Sequence, residues 1–393
     1  MLNLVMKKDR INILFIVILT LIIGGFCLEF LPSFPVISDS EEYNTVALNL
    51  VQGKGFMLDN EPTGETPPGY PLFLASIYYL FGYDYQIVKL IQFILLAGMG
   101  IIVYLMTRKF LNFQPTLSFL SSLTFVLWPY FVVYPLFIVS EILFIFFFLL
   151  STYFLLTFLK EPSLKNSIIA GGLLGIATLV RPVTLLLPFW LAFLLLFFLK
   201  AAGKRAYFLK LVIILMVFTA VLTPWTVRNY LVFQRFVPIG TFLPKVIEKG
   251  YVRLDYTEGS QALKPWEANF KTMALARLKN IYLFWNPGAK GTNAQIIKET
   301  FPIMGTLFHI YRIFFFIILA LAFWSLRLIR KNKEIFVLWI IIFYFWALHI
   351  ILFPYPRYTL PIIPLVIILA WFTLRNIGYK ILNKSPYKIG KKT

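Results

Sequence analysis

Three acids stand together in Asp39-Ser40-Glu41-Glu42-Tyr43, directly after an apolar run. A carboxylate held at a membrane surface could act as general base, taking the proton of an acceptor hydroxyl as it attacks an activated carbon. The same spacing makes a capping box of Asp39 and Glu42 and leaves Glu41 as a solvated first-turn acid. The two roles do not exclude each other. A second group is basic: Arg181 in Arg181-Pro182, Arg228 in Trp225-Thr226-Val227-Arg228-Asn229-Tyr230, and Arg357 in Pro356-Arg357-Tyr358. A guanidinium holds phosphate oxygens in a bidentate fork, and a lipid phosphate sits at the depth where membrane spans end. Any one of these arginines could instead snorkel to a headgroup or pair with an acid. Three at similar depth favour an anion site.

Glu141, in Ser140-Glu141-Ile142-Leu143, is open to three readings: a second active-site acid, a metal ligand, or an interfacial acid paired with an arginine. His309 and His349 lie in apolar runs without metal-ligand spacing and read as packing residues. The lone cysteine, Cys27, allows neither an intrachain disulfide nor a multi-cysteine metal site. No Walker loop, Rossmann fingerprint, H-E-x-x-H or G-x-S-x-G occurs, so an ATP-driven pump and a serine hydrolase are unsupported.

The elements that must carry these residues are membrane helices. Of 393 residues, 60% are hydrophobic and 14% charged, against roughly 25% charged in a soluble domain. Apolar runs of about 20 residues, each able to cross the ~30 Å hydrocarbon core, recur along the chain. Ten spans are expected, near 11–31, 85–106, 115–132, 139–159, 167–180, 183–199, 209–225, 304–326, 335–353 and 359–375. An even count puts both termini on one side. The segments on that side hold 21 of the 37 Lys and Arg but only the acids Asp9, Glu161 and Glu334. By the positive-inside tendency this side is cytoplasmic, in a multi-pass protein of the plasma (inner) membrane. The net charge of +20 is thus a topology signal on scattered short loops. Nucleic-acid binding would need a continuous basic surface, and the reading excludes it. The first run follows Lys7, Lys8 and Arg10 like a signal peptide, but it exceeds the usual ~7–15 residue core and lacks an A-x-A site; it is expected as a retained first span.

Two outer segments are long enough for structure of their own, 32–84 and 226–303. In the first, a helix from Asp39 with Tyr43, Val46, Ala47, Leu50 and Val51 on one face, ended by Gly53 and Gly55, is expected along the membrane surface. Thr66-Pro67-Pro68-Gly69-Tyr70-Pro71 then makes a rigid turn before the apolar stretch Leu72 to Phe81. In the second, an amphipathic helix is expected through Phe270, Met273, Ala274, Leu278 and Ile281, ending at Asn286-Pro287-Gly288.

Asp39-x-x-Glu42-Tyr43, Ala47-Leu48-Asn49-Leu50, Gly53-Lys54-Gly55-Phe56 and Pro67-Pro68-Gly69-Tyr70-Pro71-Leu72-Phe73 together resemble the first outer loop of C-type-fold membrane glycosyltransferases, in the branch of protein O-mannosyltransferases and the lipid A aminoarabinose transferase. Ser140-Glu141, Gly175-x-Ala177-x-Leu179-x-Arg181-Pro182, Pro224-Trp225-x-x-Arg228-Asn229-Tyr230 and Arg357-Tyr358-x-x-Pro361-x-x-Pro364 extend the likeness from about residue 35 to 370. The resemblance implies an all-α polytopic protein of about ten spans, a single transmembrane glycosyltransferase domain over 1–393 with amphipathic helices in its first outer loop. It further implies transfer of a sugar from a polyprenyl-phosphate carrier to a lipid, glycan or protein acceptor at the outer face. On that reading Asp39, with Glu42, is the catalytic acid pair; Arg181, Arg228, Arg357 and Tyr358 surround the donor phosphate; Glu65, Tyr70 and Glu141 complete the site.

Thr66 stands where the aminoarabinose transferase has lysine. The chain ends soon after the last expected span, without the soluble C-terminal domain of some relatives, so extra recognition falls to the 226–303 loop. The carrier phosphate is already a good leaving group, so the reaction needs a base, cations for the departing phosphate and placement. No cofactor is assigned and a divalent cation is optional. The partners are the lipid-linked donor, the acceptor and membrane lipids. Other classes remain: a lipid or glycan transporter or flippase, which would favour paired half-sequences with broken helices, a glycan polymerase or ligase of related fold, and a non-catalytic scaffold that would leave the acids without a task.

Overall fold

In lipid every backbone polar group must be satisfied within the chain, so the apolar runs can only be helices. The structure, a computed structural model, describes residues 2–31, 39–198, 204–241, 266–286, 304–352 and 356–384. Among these, seven helices are long and apolar enough to cross a bilayer: α1 (Leu2–Phe30), α4 (Tyr85–Leu111), α7 (Glu141–Lys160), α10 (Lys204–Phe233), α12 (Met304–Trp324), α13 (Lys333–Ile351) and α14 (Ile363–Lys384). The expected span over 115–132 is instead broken into α5 (Pro115–Val126) and α6 (Pro129–Val133), bent by 61°. The break falls at Trp128-Pro129, where proline removes a backbone donor and pushes the residue before it to extended geometry. The runs at 167–180 and 183–199 form shorter apolar helices, α8 (Leu164–Val180) and α9 (Leu187–Phe198). Arg181 parts them in an extended conformation ahead of Pro182.

The remaining elements are α2 (Asp39–Val51), a two-residue hairpin of β1 (Met57–Leu58) and β2 (Glu61–Pro62), α3 (Gly69–Phe81) and α11 (Phe270–Trp285). The hairpin is absent from the all-helical expectation. Asp59 and Asn60 both take positive φ, as a tight two-residue turn demands.

Both helices expected in the 32–84 and 226–303 segments form; α2 buries part of its expected apolar face together with polar residues, whereas α11 turns a different face inward. In α2 the buried residues are Ser40, Asn44, Val46 and Ala47, while Val51 is exposed. Val46 and Ala47 belong to the expected apolar face; Asn44 is buried beside them because Tyr78 of α3 donates to its Oδ1 at 2.9 Å and its Nδ2 donates to Tyr83 at 3.2 Å. In α11 the inward face is Ala276, Asn280 and Phe284, and Phe270 and Leu278 of the expected apolar face are exposed. Asn280 donates to Ile350 O at 3.0 Å and Arg277 to Leu352 O at 3.4 Å. The unpaired carbonyls at the end of α13 thus draw the polar side of α11 onto them. Residues 242–265 and 287–303 of that loop, Pro287-Gly288 among them, and the side chain of His309 lie outside the described residues.

At the end of the bundle holding Lys160 and Arg375, cations close helix C-termini. Arg108 pairs with Asp9 at 2.8 Å and donates to Phe113 O; Arg375 donates to Leu111 O; Lys160 donates to Lys109 O at 2.6 Å; and Lys210 donates to Pro162 O. The acids and arginines of interest lie at the other end of these helices, since α7 runs from Glu141 to Lys160.

α8 reaches the second end by packing on α10 through small residues. A Cβ on Gly171 would stand 2.5 Å from Ile214 O, and one on Gly175 2.8 Å from Val221 Cβ, a close approach of the small-xxx-small kind. Gly171→Leu should therefore separate the two helices and cost about 1–3 kcal/mol, read as a lowered midpoint of thermal unfolding in detergent; an unchanged midpoint would show that the contact carries no weight.

Candidate active site

Four chain segments converge beyond the helix ends. Each acid starts a helix and the arginine of α8 ends one, which puts the charges where helix dipoles favour them. Asp39 opens α2, Glu141 opens α7 and Arg181 follows the last residue of α8. Arg357 and Tyr358 come from the 3-10 turn Pro356–Ile362 that leads into α14.

The centre is ionic. Arg181 Nη1 lies 2.7 Å from Glu141 Oε1, and Arg357 Nη1 lies 3.2 Å from Asp39 Oδ2 and 4.0 Å from Glu141 Oε1. Arg181 also donates to Ser140 Oγ at 3.2 Å. Burial separates the two acids: the Glu141 side chain is 4% exposed, that of Asp39 48%. Beneath both guanidiniums lies the Tyr358 ring, 5.9 Å from Arg181 and 5.7 Å from Arg357, within range of cation–π attraction. His349, buried at the end of α13, lies against Tyr358 with ring centroids 4.8 Å apart, its Nδ1 2.7 Å from Phe345 O. Tyr43, one turn along α2 from Asp39, is 3.5 Å from Ser140 Oγ. Burial pushes its phenol up to about 12, Arg181 opposing and Asp39 adding to the shift, so it stays a neutral hydroxyl at physiological pH.

Tyr70 braces rather than lines this cluster. Its hydroxyl donates to Gln92 Oε1 at 3.1 Å, and Gln92 Nε2 donates to Pro135 O at 2.9 Å and Phe137 O at 2.8 Å. The amide of a mid-span glutamine thereby fixes the segment that delivers Ser140 and Glu141. Gly69, next to Tyr70, sits where a Cβ would be 2.7 Å from Val180 N, which sets α3 directly against the residue before Arg181.

Other expected site residues are placed elsewhere. Arg228 donates to Thr63 O at 2.8 Å and Phe56 O at 3.2 Å, closing the base of the β1–β2 hairpin, and stacks over Trp225 at 4.8 Å. It holds the loop between α2 and α3 to the end of α10. Glu65 is exposed on the loop ahead of α3, its backbone N–H donating to Thr63 Oγ1 at 3.1 Å. Glu42 is partly buried on the turn of α2 after Asp39. Gln92, Tyr43 and His349 were not among the expected site residues. For Gln92 a signal existed, since an amide inside an apolar span needs a partner. Among the described residues no three His, Cys, Asp or Glu gather as metal ligands.

Residues 65–225 match the family model for dolichyl-phosphate-mannose-protein mannosyltransferases. No curated protein matches the chain by sequence. Among solved structures, ArnT from Cupriavidus metallidurans bound to undecaprenyl phosphate is similar over 94% of this chain, with a TM-score of 0.61 at 14% identity. The Archaeoglobus fulgidus oligosaccharyltransferase, in complex with Zn and sulfate, is similar over 93%, with a TM-score of 0.55 at 16% identity. The chain spans 62% of the length of that ArnT and 49% of that oligosaccharyltransferase. The chain thus shares the fold of these two solved structures over nearly its whole length, and its residues 65–225 carry the likeness to the mannosyltransferase family.

Removing one partner of a buried ion pair leaves a charge without compensation. Arg181→Ala should cost roughly 3 kcal/mol of stability, and adding Glu141→Gln should restore most of it. Thermal unfolding of the single and double variants checks this; equal losses in both would show that the pair is not what holds the site.

Proposed function

We propose that the chain is a glycosyltransferase that moves a sugar from a polyprenyl-phosphate-linked donor to a lipid, glycan or protein acceptor. Asp39 acts as general base, and Arg181 and Arg357, over Tyr358, hold the donor phosphate. The observation that carries this reading is the convergence of two arginines and a half-exposed carboxylate at the ends of membrane helices. The family match to dolichyl-phosphate-mannose-protein mannosyltransferases and the undecaprenyl phosphate on the similar ArnT support the class of donor.

In the reaction the bond between the anomeric carbon and the phosphate oxygen breaks as the acceptor oxygen bonds to that carbon. The acceptor proton passes to Asp39 and the new charge on the leaving phosphate falls to the arginines. The acid cluster faces the outer side on this reading, because the opposite helix ends carry the capping cations expected in the cytoplasm. Glu42 and Glu65 border the acceptor approach from the first outer loop, and the 226–303 loop contributes acceptor recognition.

Membranes carrying the protein and supplied with radiolabelled polyprenyl-phosphate sugar test the assignment. Asp39→Asn should lower transfer by about 10²–10⁴-fold, while Arg357→Ala should weaken donor binding. Wild-type transfer by a normally folded Asp39→Asn protein would remove the base. Profiling cell-surface glycans by mass spectrometry in a strain lacking the protein would identify sugar and acceptor.

A further inference from the structure

Two arginines and two carboxylates make the cluster neutral as it stands. A sugar phosphodiester brings a further negative charge to the same guanidiniums. Two anions competing for one cation in a partly desolvated site repel strongly, so one carboxylate must give way. The two acids differ in which can do so. Glu141 is 4% exposed, fixed at the start of α7, and lies within 4.0 Å of both arginines. Moving it would strand a buried charge. Asp39 is 48% exposed and touches Arg357 through Oδ2 at 3.2 Å, and rotating its side chain toward solvent leaves it hydrated.

The geometry points to a counter-ion exchange. Donor phosphate replaces Asp39 on Arg357, and the carboxylate so released is the one that takes the acceptor proton. Glu141 is the fixed counter-ion, a positioning residue that keeps Arg181 and Arg357 aimed at one place before and after the exchange. The consequence is an order of events: without donor the Asp39 carboxylate is held on the Arg357 guanidinium through Oδ2, and only a filled phosphate site turns it toward the acceptor. The exchange rests on the reading of Asp39 as base and of Arg357 as phosphate ligand.

The test is equilibrium binding of undecaprenyl phosphate to the full-length protein in detergent. If Asp39 competes for Arg357, Asp39→Asn removes the competitor and binding tightens. For an ion pair this exposed, the expected gain is roughly two- to fivefold. Glu41→Gln, an equal change of charge on an exposed residue of the same helix turn, should leave affinity where it was. Unchanged or weaker binding in Asp39→Asn, with transfer lost, overturns the exchange and leaves the base in place. Equal tightening in Glu41→Gln also overturns it, since the effect would then be one of net charge. Tighter binding together with wild-type transfer would keep the competition but refute Asp39 as the base it releases. Thermal unfolding of each variant separates these outcomes from loss of fold.

Discussion

A carboxylate taken out of water must find a cation, and Glu141 is such a carboxylate. Ionised in a site from which solvent is nearly excluded, it would cost several kcal/mol if left alone. The start of α7 can therefore occupy its place only if the end of α8 and the turn before α14 come to it, bringing Arg181 and Arg357. Much of the surrounding architecture follows. The bend between α5 and α6 carries the chain back toward the cluster, Gln92 holds that return by two carbonyls, and Tyr70 completes the amide. Glycine at 69 lets α3 press on the residue before Arg181. A polar centre is thus held by buried hydrogen bonds that have no water to compete with them.

The same centre divides labour between two acids of like chemistry. Their difference is solvent: one is enclosed and serves as structure, the other stands half in water and is open to exchange protons and partners. Arg228 shows the same division among cations. With backbone carbonyls on one side and Trp225 on the other, it secures the loop that bears Asp39, while Arg181 and Arg357 face the two acids.

How much of this could be read from the residues depends on the kind of force involved. Helix positions follow from apolar runs, because lipid leaves the backbone no alternative; α4, α7 and α13 lie where hydropathy puts them. The pairing of Glu141 with an arginine was legible as one of three readings, because an acid beside apolar residues needs a counter-charge. What failed was the choice of face in α11 and, in α2, the place of Val51 and the burial of Asn44. An apolar stripe says which side avoids water, but it does not say which polar side chain will find a partner inside the fold. Asn44 and Asn280 decided the matter by hydrogen bonds to partners more than thirty residues away, and no local pattern announces them. The break at Trp128-Pro129 was visible in the sequence as a proline, but its direction depends on the Gln92 contacts across 43 and 45 residues.

The cations at the far end carry a consequence for how the protein is oriented in the membrane. Arg108, Lys160, Lys210 and Arg375 are among the charges that the positive-inside tendency would weigh, and each also donates to a carbonyl of the chain. On the proposed orientation, sidedness and helix integrity share the same atoms. A variant stripped of these charges to invert the protein would also unravel the ends it sought to move, so an inverted chain and a misfolded chain would arise from the same substitutions.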